Sequence, residues 1–167
     1  MPTFEQKHFL PRALDSLLAQ SLDDWEALIV DDGSCDGTGQ VVSQYLSDAR
    51  INCCRLGHNT GLGKAINEGI ARASAPLLAY LPSDDVYYRD HLQSLHDRLM
   101  ASTSAVLAYS GMRYHYNRYS DGQAPGTPLQ LVQCMHRRTA LRWTERGVIE
   151  SDDLDRLYWA QLRELGD

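Results

Sequence analysis

The sequence predicts an α/β domain built on a mainly parallel sheet, and three observations predict it. Short apolar runs alternate with amphipathic helical stretches through about the first hundred residues. The runs are apolar enough to be buried on both faces. Acidic loops follow two of them directly, where an open α/β sheet binds its ligands.

The elements follow in order. Phe9, Leu10, Ala13, Leu14, Leu17 and Leu18 recur at helical spacing and predict a helix over 7–20, with Pro11 tolerable in its first turn. Glu26–Asp31 reads as a buried strand. A helix near 37–47, a strand at 51–55, a helix near 62–73 and a strand at 76–81 repeat the alternation, which implies right-handed crossovers. After a helix around 89–101 the pattern turns mixed: β-formers from Ala105 to Asn117, a Gly/Pro loop at 120–128 and a strand-like LQLVQ at 129–133. Asp152–Leu165 reads as a closing helix with Leu154, Leu157, Tyr158, Leu162 and Leu165 on one face. The opening Met1-Pro2-Thr3-Phe4 runs straight into a helix, although such a sheet normally begins with an apolar strand. The expectation is that Met1 lies inside a strand reading apolar-Met-Pro-Thr and that the chain starts late, as a fragment, a mis-started gene or a truncated product.

A length of 167 residues suits one domain, and 43% apolar with 23% charged residues suits a packed core. The net charge is −6 with no Lys/Arg-rich run, which argues against nucleic acid as a partner. No apolar stretch approaches the ~20 residues of a spanning helix. Cys35, Cys53, Cys54 and Cys134 lack metal or redox spacing and read as free thiols.

Two acidic clusters carry the chemistry: Asp31-Asp32-Gly33-Ser34-Cys35-Asp36-Gly37-Thr38 after the strand ending at Val30, and Ser83-Asp84-Asp85 after Leu77–Leu81. Adjacent carboxylates repel and lose solvation unless a cation or hydrogen bonds compensate them. A divalent metal sharing one or two carboxylates with substrate phosphates is one answer; a solvated turn before a helix is the other. Three look-alikes fail. One residue too many lies between Gly57 and Gly63 for a phosphate-binding P-loop, and Ala65 stands where Ser or Thr would hold magnesium. The stretch from Asp32 lacks the final Glu of an EF-hand, having Ser43 there. No dinucleotide fingerprint follows a strand.

IVDDGSCDGT at 29–38, HNTGLGKAINEGIARASAPLLAYLPSDD at 58–85 and PTFEQKHFLPRALDSLLAQSL at 2–22 resemble, in order and spacing, the family 2 glycosyltransferases. The likeness covers roughly residues 2–99 and is thin from 101 to 150. It implies a three-layer α/β/α domain of the A-type nucleotide-sugar transferase fold over 1–167, with 1–100 the nucleotide-binding half and 101–167 the acceptor and catalytic-base half.

The resemblance implies roles residue by residue. Pro2, Thr3 and Phe4 match the nucleotide-contacting turn after the family's first strand, with Phe4 stacking on the base and Glu5 standing where Asn is usual. Asp32 matches the acid that accepts from a pyrimidine ring, supported by Asp31. Lys64 and Asn67 match the nucleotide pocket wall. In LPSDD, Asp84 falls on the ribose side and Asp85 on the metal and diphosphate, while Pro82 replaces the motif's first acid. Glu150-Ser151-Asp152-Asp153 is similar to the Glu-Asp motif of the catalytic base, for which Asp153 is favoured over Asp152; N-capping of the helix is the plainer role.

The implied reaction is inverting transfer of a sugar from a UDP- or dTDP-linked donor to a glycan or glycolipid acceptor, assisted by Mn²⁺ or Mg²⁺. The implied location is the cytoplasm, at the inner membrane face in peripheral association. A non-catalytic or truncated module that keeps the nucleotide pocket is the competing expectation. A nucleotidyltransferase is disfavoured by the absence of a Gly-rich activation loop near residue 2.

Overall fold

The computed structural model describes residues 1–113, 119–120, 129–145 and 154–166. Strand β1 (Pro2–Thr3) pairs parallel with β2 (Ala27–Asp31), which pairs parallel with β3 (Ile51–Arg55). Helix α1 (Leu10–Leu18) lies between β1 and β2 in sequence, and α2 (Thr38–Ser43) between β2 and β3. Helix α3 (Leu62–Arg72) leads to β4 (Leu77–Ala79), and α4 (His91–Met100) to β5 (Leu107–Tyr109). Strands β6 (Met112–Arg113) and β7 (Tyr119–Ser120) form a separate antiparallel pair. A 3₁₀ turn at Leu131–Gln133 runs into β8 (Cys134–Arg137), and α5 (Leu154–Arg163) closes the described chain. Strand β8 sits antiparallel between β4 and β5.

Two cores separate the layers. Leu10, Leu14 and Leu17 of α1, Val42 of α2 and Leu92, Leu95 and Leu99 of α4 pack with Ile29 and Leu81. Ile66 and Ile70 of α3 and Tyr158, Trp159 and Leu162 of α5 pack with Leu78, Tyr80 and Trp143. Because side chains alternate along a strand, residues 77, 79 and 81 join the first core while 78 and 80 join the second. The sheets therefore lie between a layer containing α1, α2 and α4 and a layer containing α3 and α5.

Pro2–Thr3 form a strand, as expected of a strand reading into Met-Pro-Thr, with Pro at its first position, where no ladder N–H is lost. Met1 extends it: its amino group donates to Leu28 O at 2.9 Å and its carbonyl accepts from Val30 N at 2.9 Å. Three other expectations need correction. Helix α2 stops at Ser43 because the N–H groups of Gln44 and Tyr45 take i−3 carbonyls, tightening the last turn. The strand expected at 129–133 is a 3₁₀ turn, since Gln130 N donates to Gln133 Oε1 and Gln133 N to Gln130 O; the strand begins one residue later, at Cys134. On α5 the buried face carries Tyr158, Trp159 and Leu162, while Leu165 is exposed. All four cysteines are free, as expected.

Candidate active site

The strand ladder brings the first acidic cluster against the opening turn. Thr3 pairs with Asp31 across β1 and β2, and Asp32 N donates to Thr3 O at 2.9 Å. Asp31 is 1% exposed; its Oδ1 accepts from Ser34 N at 2.9 Å and its Oδ2 lies 3.6 Å from Arg55 Nε. Arg55 ends β3 opposite Asp31 and also donates to Ser34 O at 2.5 Å.

Asp32 is 4% exposed and holds the entry to α3. Its Oδ1 accepts from Thr60 N and Thr60 Oγ1, and its Oδ2 from Gly61 N, each at 2.8 Å. Gly61 is the residue before α3, so the carboxylate sits at a helix N-terminus, where negative charge is favoured. Gly33 makes the turn tight enough: its φ is 84°, and a Cβ there would lie 2.7 Å from the His58 carbonyl carbon.

A second set of bonds fixes the opening turn. Glu5 adopts φ 54°, donates its N–H to Ser34 Oγ at 2.9 Å and accepts from Cys35 N at 2.6 Å through Oε1. Lys7 N donates to Asp36 Oδ2 at 3.1 Å. Burial of Asp36 opposes ionisation, but hydrogen bonds from Thr38 and Lys7 outweigh it and hold the carboxyl at about 2. Phe4, between these anchors, stays exposed, and Thr3 Oγ1 is buried with no hydrogen-bond partner.

The second acidic cluster is a turn after β4, closed by Asp85 N donating to Pro82 O at 3.2 Å. Ser83 is buried and Asp84 exposed. Burial, and then the neighbouring Asp84 charge, push the Asp85 carboxyl up to about 6. A group that resists ionisation beside another acid gains from a cation placed against it. Among the described residues no group of three or more His, Cys, Asp or Glu converges. One or two carboxylates suffice for magnesium or manganese when phosphates complete the shell.

Lys64 and Asn67 face a partner that the sequence leaves hidden. Asn67 Oδ1 accepts from Trp143 N at 2.9 Å, and its Nδ2 donates to Trp143 O at 2.9 Å and Glu145 Oε1 at 3.0 Å. Lys64 Nζ lies 3.8 Å from Glu145 Oε2. A side chain at Gly63 would run into Thr144 O, so this glycine lets the 143–145 segment cross α3 closely. Asp152 and Asp153 lie outside the described residues. Thr60, Arg55 and Glu145 are the site residues that sequence reasoning missed; only Arg55, in register with Asp31, leaves a readable signal.

The family model described as glycosyl transferase family 2 matches residues 1–152. The chain belongs to glycosyl transferase family 2. Among similar proteins is TuaG of Bacillus subtilis (strain 168), named a putative teichuronic acid biosynthesis glycosyltransferase, 33% identical over 77% of this chain and 48% of its own length. Escherichia coli WfgD, named a UDP-Glc:alpha-D-GlcNAc-diphosphoundecaprenol beta-1,3-glucosyltransferase, is 32% identical over 56% of this chain and 36% of its own. The crystal structure of S. aureus TarS 1–349 superposes with a TM-score of 0.82 at 19% identity, covering 99% of this chain and 54% of that one. This chain therefore spans about half or less of the length of these proteins. The superposition and the family match together establish the A-type glycosyltransferase fold. Among the described residues no helix is long and apolar enough to cross a membrane.

Proposed function

We propose that this chain binds a nucleotide-diphosphate sugar, UDP- or dTDP-linked, through the loops that follow β1, β2 and β4. The observation that carries the reading is the contrast between the two acidic loops. Asp31 and Asp32 are buried and held by Ser34, Thr60 and Gly61, so they shape a rigid wall beside Thr3 and Phe4. Asp84 and Asp85 are left with an electrostatic deficit that a cation would relieve. Relatives lend support: TarS 1–349 has been crystallised in complex with UDP, and a mannosyltransferase from Pyrobaculum calidifontis, of TM-score 0.61 and 21% identity, with GDP-Man and Mn²⁺.

In this reading Phe4 stacks on the base, Asp32 accepts from the pyrimidine N–H, and Asp84 contacts ribose. Mn²⁺ or Mg²⁺ would be held by Asp85 together with donor phosphate oxygens, and would neutralise charge on the leaving diphosphate. Asp153, or Asp152 beside it, takes the proton of the acceptor hydroxyl as that oxygen bonds to the anomeric carbon. The bond from that carbon to the nucleoside diphosphate breaks on the opposite face, inverting configuration. Residues 1–100 form the donor half, and 101–167 bring the acceptor and the base. The acceptor is a glycan or glycolipid, met in the cytoplasm at the inner membrane face.

A second reading, a nucleotide-binding module without transfer, is favoured by Pro82 in place of the motif's first acid and by the commitment of Lys64 and Asn67 to Glu145 and Trp143. Release of UDP or dTDP from a panel of donor sugars with lipid-linked glycan acceptors separates the two. Transfer with inverted anomeric configuration by NMR, abolished in Asp153→Asn, is expected. Nucleotide binding with neither transfer nor donor hydrolysis would select the second reading, and product of retained configuration would overturn the mechanism.

A further inference from the structure

A groove of about 560 Å³ follows β5 on the side away from β8. Leu107, Ala108 and Tyr109 of β5 line it, together with Arg98 of α4, Ser104 of the turn after that helix and Tyr119 of β7. Side chains of successive strand residues point to opposite faces, so a groove that touches three in a row meets the strand at its edge. Among the described residues β5 has one ladder partner, β8.

The ladder fixes what that edge offers. Arg137 N donates to Val106 O and Ser110 N to Gln133 O. In this antiparallel pair residues 106, 108 and 110 therefore turn their backbone groups toward β8, and Leu107 and Tyr109 turn theirs outward. Two N–H donors and two carbonyl acceptors face the groove. Ser102 Oγ and Ser104 Oγ, 3.2 Å apart, add hydroxyls, and the exposed Arg98 adds a cation.

Two aromatic rings complete the set. Tyr109 is 40% and Tyr119 71% exposed, yet Tyr119 is held in place. It pairs with Arg113 across β6 and β7, and its ring lies against Gly111, where a Cβ would run into the Tyr119 hydroxyl. A ring fixed before its ligand arrives loses little freedom on binding. A sugar suits this mixture, because its C–H faces pack on aromatic rings while its hydroxyls both donate and accept. An added peptide strand would find only two residues of outward ladder, a short template. Strands β4 and β5 both run antiparallel to β8, so the Tyr109 end of β5 and the turn carrying Asp84 and Asp85 lie at the same end of the sheet. Two strand spacings, about 10 Å, separate them sideways.

We propose that this groove binds a glycan, holding sugar units of the acceptor that are remote from its reacting hydroxyl. The acceptor role rests on the donor-site reading above, whereas glycan binding does not.

The test titrates cellopentaose, chitopentaose and pentagalacturonate, each to about 10 mM, into the 167-residue chain and follows saturation transfer from the tyrosine rings. At least one should bind. Tyr119→Ala should weaken that binding at least about tenfold, while Tyr119→Phe, which keeps the ring, should stay within about twofold of the parent. Gly111→Val, which displaces the ring, should act like Tyr119→Ala. Failure of all three glycans to bind, or equal binding by the parent and Tyr119→Ala, would overturn the proposal. So would self-association that protects the Leu107 and Tyr109 amides from exchange, because a second copy would then hold the edge. Glycan binding with the expected losses, in a chain that gives no heat with UDP and Mn²⁺, would uphold the groove and remove the donor-site reading instead.

Discussion

Replacing Asp32 by Asn tests whether this carboxylate holds the entry to α3. Both of its oxygens accept, from Thr60 N and Oγ1 on one side and from Gly61 N on the other, at 2.8 Å and with 4% exposure. An amide is nearly isosteric but has one acceptor oxygen. Whichever way it turns, an NH₂ group meets a backbone N–H, so one donor is orphaned and the remaining bonds lose their charge assistance. Hydrogen bonds to charged groups contribute about 1.5–3 kcal/mol, and a buried unsatisfied group costs about 1–3 kcal/mol. The expected loss is about 3 kcal/mol, which for a domain of this size lowers the thermal midpoint by about 6–12 °C. Thermal unfolding by circular dichroism reads the total, and hydrogen exchange at the Thr60 and Gly61 amides localises it. A midpoint within about 1 °C of the parent with unchanged exchange at both amides would refute the anchoring role.

Gly33→Ala should destabilise by about 2 kcal/mol or more, because φ 84° and the His58 backbone both oppose a side chain; a parental urea midpoint would contradict this. Asn67→Ala removes both partners of the Trp143 backbone and should cost about 2 kcal/mol while changing the near-ultraviolet signal of that indole. His136 is fully buried; its Nδ1 donates to Arg137 O at 2.7 Å, its Nε2 accepts from Tyr80 Oη at 2.6 Å, and burial lowers its pKa to about 4. The unfolded chain binds the proton more readily, so this residue makes stability fall as pH drops from about 6.5 to about 4. His91, also lowered to about 4, acts in the same sense, while Asp85, raised to about 6, acts in the opposite one. Denaturant titrations across that window should show a flatter acid loss in His136→Gln than in the parent.

The first hundred residues were the most legible because their helices and strands are long enough to carry a period, and α1, β2, β3, α3 and α4 fall within a few residues of expectation. Strand β1 carries no periodicity in its two residues and was read only from its place before α1; the ladder to Val30 and Asp31 makes it a strand. Strand β8 was displaced because Leu129 and Leu131 alternate like strand residues, yet the reciprocal bonds of Gln130 and Gln133 close a turn that no hydrophobic pattern reports. Its insertion between β4 and β5 is a long-range pairing chosen by packing. At the site, the strand-end positions of Asp31, Asp32, Asp84 and Asp85 could be read directly. Their partners could not, since Thr60 reaches Asp32, and Trp143 reaches Asn67, across long stretches of chain.

The most direct test of the central claim is calorimetric titration of UDP into the purified chain at pH 7.5, with and without Mn²⁺, repeated with Asp85→Ala. Binding that strengthens at least about tenfold with Mn²⁺ in the parent, and loses that gain in the variant, is the predicted result. Identical titrations for both proteins, or the absence of any UDP heat in the parent, would contradict the assignment of Asp85 and the nucleotide site built around it.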